Sequence, residues 1–384
     1  MAHKPTINNT LLRRAYAGSC NYPDNDHCIP PSAGACYPNY PARCGNLGCC
    51  ATGCSATGST GPTGPTGPAA PGTGCAMPSY TFVANGHSIV QIDPITHQTH
   101  AMLELPCTVH FLAADPQQRR LYFLCNNGCA GVYDLNTNTV SQLPQISGYY
   151  AAVNPNNQKL YVSTDEQVLV LNGFTNEIIA NVPMQHPRDI VVNPNTNLVY
   201  VAADGGLNII NSNTDTVVGN IESDAALSAM KIDPCTNNLL VNVDNNGLGF
   251  IDANCNTLCE VIPVQGGVRA VAIDSRLGLA YAINAAGDQV FVFDLCTREI
   301  VGTLELPQGS FVNGISVDPT NHLLYLSTNY GILIVDGGMN KIIGLLPGVL
   351  NTGGLITMAC VPTPPCRPCR CARSSAGPAN TGIF

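Results

Sequence analysis

Two short runs concentrate the groups able to move a proton or hold an anion. They are Asp165-Glu166 and His186-Pro187-Arg188-Asp189. A neutral imidazole such as His186 can act as a general base near neutral pH, and a carboxylate can act as an acid or a metal ligand. Asp204 and Arg269 fall on loops at the same end of the repeat described below. No recurring enzyme motif frames these side chains, so no catalytic residue is assigned. Asp165, Glu166, His186, Arg188, Asp204 and Arg269 are read as ligand-binding candidates on solvated loops.

The chain has 19 cysteines, far more than a reduced intracellular protein of this size uses. Cys125-Asn-Asn-Gly-Cys129 brackets a short hairpin turn, which brings two thiols within disulfide reach. Cys235 and Cys255 fall in turns at one end of the same repeat unit and are a second candidate pair. Cys20, Cys28, Cys36, Cys44, Cys49, Cys50 and Cys54 precede the repeats, and Cys366, Cys369 and Cys371 follow them. Zinc takes four ligands in paired hooks, and neither cluster offers two such hooks. Intermolecular cross-linking is the reading for these ten thiols, with no metal and no cofactor assigned.

The elements that must position these groups are set by a repeat of about forty residues. Its marker positions are Tyr80, Tyr122, Tyr161, Tyr200, Leu240, Tyr281 and Tyr325, spaced 42, 39, 39, 40, 41 and 44 apart. Each unit reads as four short strands, the signature of a propeller blade, and seven units give an all-β, seven-bladed β-propeller. We label the strands of a blade A to D outward from the axis. Turns between A and B carry Asp115-Pro116, Asn154-Pro155, Asn193-Pro194, Asp233-Pro234, Asp274-Ser275 and Asp318-Pro319, the chemistry of a type I turn. Strand C ends at Asp93, Asp134, Asn172, Asn211, Asp252, Asp294 and Asp336. That ring of acids and amides predicts side chains accepting turn N–H groups rather than a metal site. The first unit lacks an A strand and the last has a spare one at 356–362, so the C-terminal strand is expected to close the ring.

Four segments follow: a Cys-rich arm at 1–57, a spacer at 58–74, the propeller at 75–363 and a Cys/Arg-rich tail at 364–384. Formal charge is −9 overall, with +2 before residue 80 and +3 after Cys360, which leaves −14 on the propeller. Such an acidic body repels nucleic acid. No apolar run is long enough to span a bilayer, and the N-terminal residues carry no apolar export core.

Val191-Val192-Asn193-Pro194-Asn195-Thr196-Asn197-Leu198-Val199-Tyr200-Val201-Ala202 resembles the consensus of YVTN-repeat propellers, a family that includes surface-layer proteins. Separately, the Gly-X-Y triplets at 58–69, with Gly61-Pro62-Thr63-Gly64-Pro65-Thr66, are similar to the tracts of collagen-like spore-surface glycoproteins. Together the resemblances imply a structural or adhesive component of a spore or outer cell surface. They imply partners in other copies of the chain or other layer proteins, joined through disulfides, and a trimer built on the collagen-like tract. The alternatives are a propeller enzyme of lactonase or lyase type, or a binding module for sugars or peptides. Convergent His, Arg and carboxylates around an apolar cavity on the face of the B–C and D–A loops would favour the enzyme, and a shallow face would favour display.

Overall fold

The computed structural model describes residues 79–143, 146–350 and 355–358. The arm, the spacer, the tail and the ten cross-link cysteines lie outside the described residues. Among the described residues, twenty-eight strands, β1 to β28 in chain order, form seven antiparallel four-stranded sheets. No helix there is long and apolar enough to cross a membrane.

Six sheets use four consecutive strands each. The remaining one runs β28 (Leu355–Met358), β1 (Tyr80–Asn85), β2 (Ser88–Ile92), β3 (Thr99–Glu104). Tyr80 pairs with Met358 and Val83 with Leu355, so the C-terminal strand supplies the inner strand of the first blade, as the spare unit predicted. Closure leaves no inner strand without a partner.

Burial follows position in the blade. In β17 (Asn238–Val243), a B strand, all six residues are buried, whereas no residue of β19 (Thr257–Pro263), the D strand of that blade, is buried. B and C strands pack blade on blade through both faces, so they read as continuous apolar runs, while D strands face water on the rim. The apolar clusters lie between neighbouring blades. One joins Tyr122 and Leu124 to Leu160 and Val162, and another joins Tyr281 and Ile283 to Leu324 and Leu326.

The turns explain their composition. Asp115 Oδ1 accepts the N–H groups of Gln117 and Gln118, and Asp93 Oδ1 those of Ile95 and Thr96. Asp134, Asn172 and Asp294 do the same in their blades. The ring of acids is thus turn chemistry, and it holds Asp93 and Asp134 below the usual carboxylate range. Asn197 and Asn237 sit at φ 56° and 55° in the A–B turns, a left-handed region that Asn tolerates.

Four marker tyrosines bolt blade to blade, each sending a hydroxyl from a buried ring into the C–D turn of the next blade, whereas the buried Tyr325 hydroxyl makes no such bond. Tyr122 Oη donates to Gly173 O (3.3 Å), Tyr161 Oη to Asp215 Oδ1 (3.1 Å), Tyr200 Oη to Asn256 Oδ1 (2.6 Å) and Tyr281 Oη to Gly337 O (3.1 Å). Leu240 stands at the marker position of the fifth blade and has no hydroxyl to offer.

Candidate functional site

A cavity of about 680 Å³ opens at the end of the axial channel where the D–A segments enter. Its wall carries His110, Phe111, Tyr149, Tyr150, Lys231 and Arg269, with Asn313 and Leu355 completing the ring. These residues come from the starts of inner strands. They include β4 (Val109–Asp115), β8 (Tyr150–Asn154), β16 (Leu227–Asp233), β20 (Val268–Asp274) and β24 (Val312–Asp318).

Backbone bulges build this wall. In β4, Val109 pairs with Cys125 and Phe111 with Leu124, which leaves His110 as the extra residue. In β20, Val268 and Ala270 pair with consecutive partners and Arg269 is extra; in β24, Asn313 is extra. A bulge bends the strand and re-aims the unpaired side chain. Three inner strands therefore turn a His, an Arg and an Asn toward the axis. In β16 the ladder is also interrupted, between Ser228 and Lys231, with Ala229 at φ 50°.

His110 is the group with the clearest chemical potential. Both ring nitrogens are buried, and the backbone of Gly148 and Tyr149 lies beside the ring without making a well-aligned hydrogen bond to it. Burial lowers its pKa, and the neighbouring backbone of Gly148 and Tyr149 offsets this only in part, so the imidazole is neutral at pH 7. Tyr150 packs edge-on against Phe111, centroids 5.3 Å apart. Its hydroxyl is held in the protonated form by burial first and by Asp189 second. Asp189 takes the N–H of Met230 at 2.6 Å. Burial raises the Asp189 pKa, while nearby Lys231 opposes that rise. Arg269 lies over the Phe311 ring, 4.9 Å from its centroid, and donates to Ala285 O at 2.9 Å. Its charge is thereby held in place at the cavity wall.

The sequence-derived candidates divide. Arg269 lines the cavity. Asp165 accepts the hydroxyl proton of Tyr149 at 2.7 Å and so orients a wall residue. His186 Nδ1 lies 2.6 Å from Asp204 Oδ2, and Arg188 donates to Asp204 Oδ1 at 3.2 Å; this cluster is exposed on the rim. Glu166 contributes its carbonyl to Met184 N, a loop contact. His110, Lys231 and Asp189 complete the inner group and were not among those candidates. A signal for His110 existed. His110, Tyr149, Arg188, Ser228, Arg269 and Asn313 each stand five residues before the A–B turn acid or amide, and four of these six, His110, Tyr149, Arg269 and Asn313, line the cavity.

Two disulfide expectations are corrected. Cys125 bonds to Cys107, across a Cα–Cα distance of 5.9 Å, and Cys129 remains an exposed thiol. Pairing of Val109 with Cys125 brings the segment before β4 onto the β5 (Arg120–Cys125) end, and one sulfur cannot serve two partners. Cys235 is disulfide-bonded, but Cys255 is an exposed thiol whose sulfur lies against Asp252 O, so the two do not pair.

No protein-family model and no curated protein matches the chain. Among solved structures it is similar to the dihydro-heme d1 dehydrogenase NirN in complex with DHE. The two share 13% identity and a TM-score of 0.54 over 72% of this chain and 75% of that one. At that identity the likeness shows the fold, the propeller. The expectation of a structural or adhesive surface-layer component is corrected here. The matched protein is an enzyme, and the channel end holds a half-open cavity lined by His110, Lys231 and Arg269, with no carboxylate in its lining.

Proposed function

We propose that the propeller is an enzyme of lyase type whose site is the mouth of the axial channel. The observation that carries this is His110, a neutral imidazole placed by a strand bulge in the wall of a cavity that also holds Arg269 and Lys231. Arg269 and Lys231 bring positive charge to the mouth of a domain of formal charge −14, so they focus a small anionic substrate there. In this reading His110 removes a proton from a carbon beside the anionic group. Arg269 balances the charge that develops, and Tyr150, kept protonated, supplies a proton to the departing group. NirN supports only the use of this architecture as an enzyme scaffold.

Kinship with YVTN-repeat propellers rests on residues 191–202. Disulfides at Cys107–Cys125, Cys235 and Cys296 support oxidising surroundings for the folded protein.

The test is a thermal-shift screen that pairs small carboxylic acids with their amides. Acids should stabilise the native protein and not Arg269→Met, by about 2.7 kcal/mol at ~100 Kd. Turnover of the stabilising acids should then vanish in His110→Asn. Equal stabilisation by acid and amide, or turnover retained in His110→Asn, would refute the proposal.

A further inference from the structure

Cys107, Cys125 and Cys129 are arranged around one sulfur. Cys125 is 2% exposed and Cys107 5% exposed, so a dissolved thiol has little access to their bond. Cys129 is exposed and stands opposite Cys125 where β5 and β6 (Ala130–Asp134) meet. The Cys125 N–H donates to Cys129 O at 2.8 Å, just beyond the Leu124–Ala130 pair. The Cys129 N–H turns to Asn127 Oδ1, and residues opposed across an antiparallel hairpin share a face of the sheet with Cα atoms about 4.5–5.5 Å apart, inside the disulfide range. The core packing agrees on the face. Leu121, Phe123, Cys125, Tyr133 and Cys107 pack in one cluster, while Leu124, Ala130 and Val132 pack in another, on the opposite side.

We propose that these three residues form a thiol–disulfide exchange site whose outside substrates are small thiols and disulfides. The Cys129 thiolate attacks Cys125 Sγ. A Cys125–Cys129 bond forms, the Cys107–Cys125 bond breaks, and Cys107 leaves as a thiolate. The proton lost by Cys129 goes to solvent and one returns to Cys107, so the isomerisation is redox-neutral. A dissolved dithiol then attacks the exposed Cys129 sulfur of that bond, releases Cys125 as a thiol and is itself oxidised to a disulfide. Exchange replaces a tether between the segment entering β4 and the end of β5 by a closure of the β5–β6 hairpin. His110 is three residues past Cys107, so the tether lies at the entrance to the cavity wall. The site stands on its own residues and does not depend on the lyase reading.

Trypsin distinguishes the isomers. Cleavage after Arg120 and Lys159 puts Cys125 and Cys129 in one peptide and Cys107 in another. The full chain is incubated with limiting dithiothreitol, quenched in acid, alkylated and mapped by mass spectrometry. Wild type should accumulate the 121–159 peptide with an internal bond while Cys107 is alkylated. In Cys129→Ser that species should be absent, and the Cys107–Cys125 bond should open about tenfold more slowly. An unchanged melting temperature checks that the exposed substitution leaves the fold intact. If the bond opens equally fast in both proteins, or Cys107 and Cys125 become alkylated only together in wild type, the proposal is overturned.

Discussion

Replacing Tyr281 by Phe removes a single oxygen from the blade six to blade seven interface. The ring is fully buried and packs with Leu324 and Leu326, so Phe keeps the apolar contacts. What is lost is the bond to Gly337 O at 3.1 Å. A neutral hydrogen bond contributes about 0.5–1.5 kcal/mol, and stranding its buried partner raises the cost toward about 3 kcal/mol. Gly337 O cannot shift to find water, because the turn is packed tightly. A Cβ on Gly337 would lie 2.9 Å from both His322 O and Tyr281 Oη. The expected loss is therefore ~1–2 kcal/mol. For a domain of this size that lowers the melting temperature by roughly 2–6 °C. Urea unfolding should show a lower midpoint at constant m, since the surface exposed on unfolding is unchanged. Tyr330→Phe, on an exposed ring, is the control and should shift nothing. If Tyr281→Phe melts with wild type, the marker tyrosines hold the ring by volume alone and the bolt is wrong.

Other perturbations test other links. Burial raises the Tyr200 pKa to about 12, above the ordinary value of 10.0. The stability this contributes is complete below pH 10 and is lost as pH climbs toward 12, so wild type should lose stability over that interval more steeply than Tyr200→Phe. The His110 pKa is depressed, so its contribution is present above pH 6.5 and lost as pH falls; His110→Asn should flatten the acid side of a melting profile taken from pH 7 to 5, and an unchanged profile would contradict the burial argument. Deleting 355–384 removes β28 and should give aggregation or loss of the cooperative transition, whereas deleting 364–384 should leave one sharp transition by calorimetry.

The fold was written in the chain because its determinants are local and repeated. Tyr200, Asn193-Pro194 and Asn211 recur at fixed spacing, and each does in space what its chemistry suggests. The site was only half legible. Arg188 stood out in a cluster of ionisable groups and Arg269 as a charge on an otherwise uncharged stretch, yet only Arg269, on a bulge, lines the cavity. No residue type marks the bulge at His110. Val109 and Phe111 pair with consecutive residues of β5 on either side, so the extra residue appears only in the register of the two strands. Cysteine pairing failed for a related reason. Cys125 and Cys129 satisfy the hairpin rule, but Cys107 reaches Cys125 through the register of β4 on β5, a contact between residues 18 apart.

The pairing of Tyr80 with Met358 also decides how the ring would yield under load. The chain enters β1 and leaves β28 at one end of an antiparallel pair, so tension applied to the two chain ends acts across the strands rather than along them. The bonds of that pair would then break in succession, starting at Tyr80–Met358, instead of resisting together in shear. The weakest direction of the whole ring is thus the line between its own ends, and blade one should be the first to open in a single-molecule stretching trace.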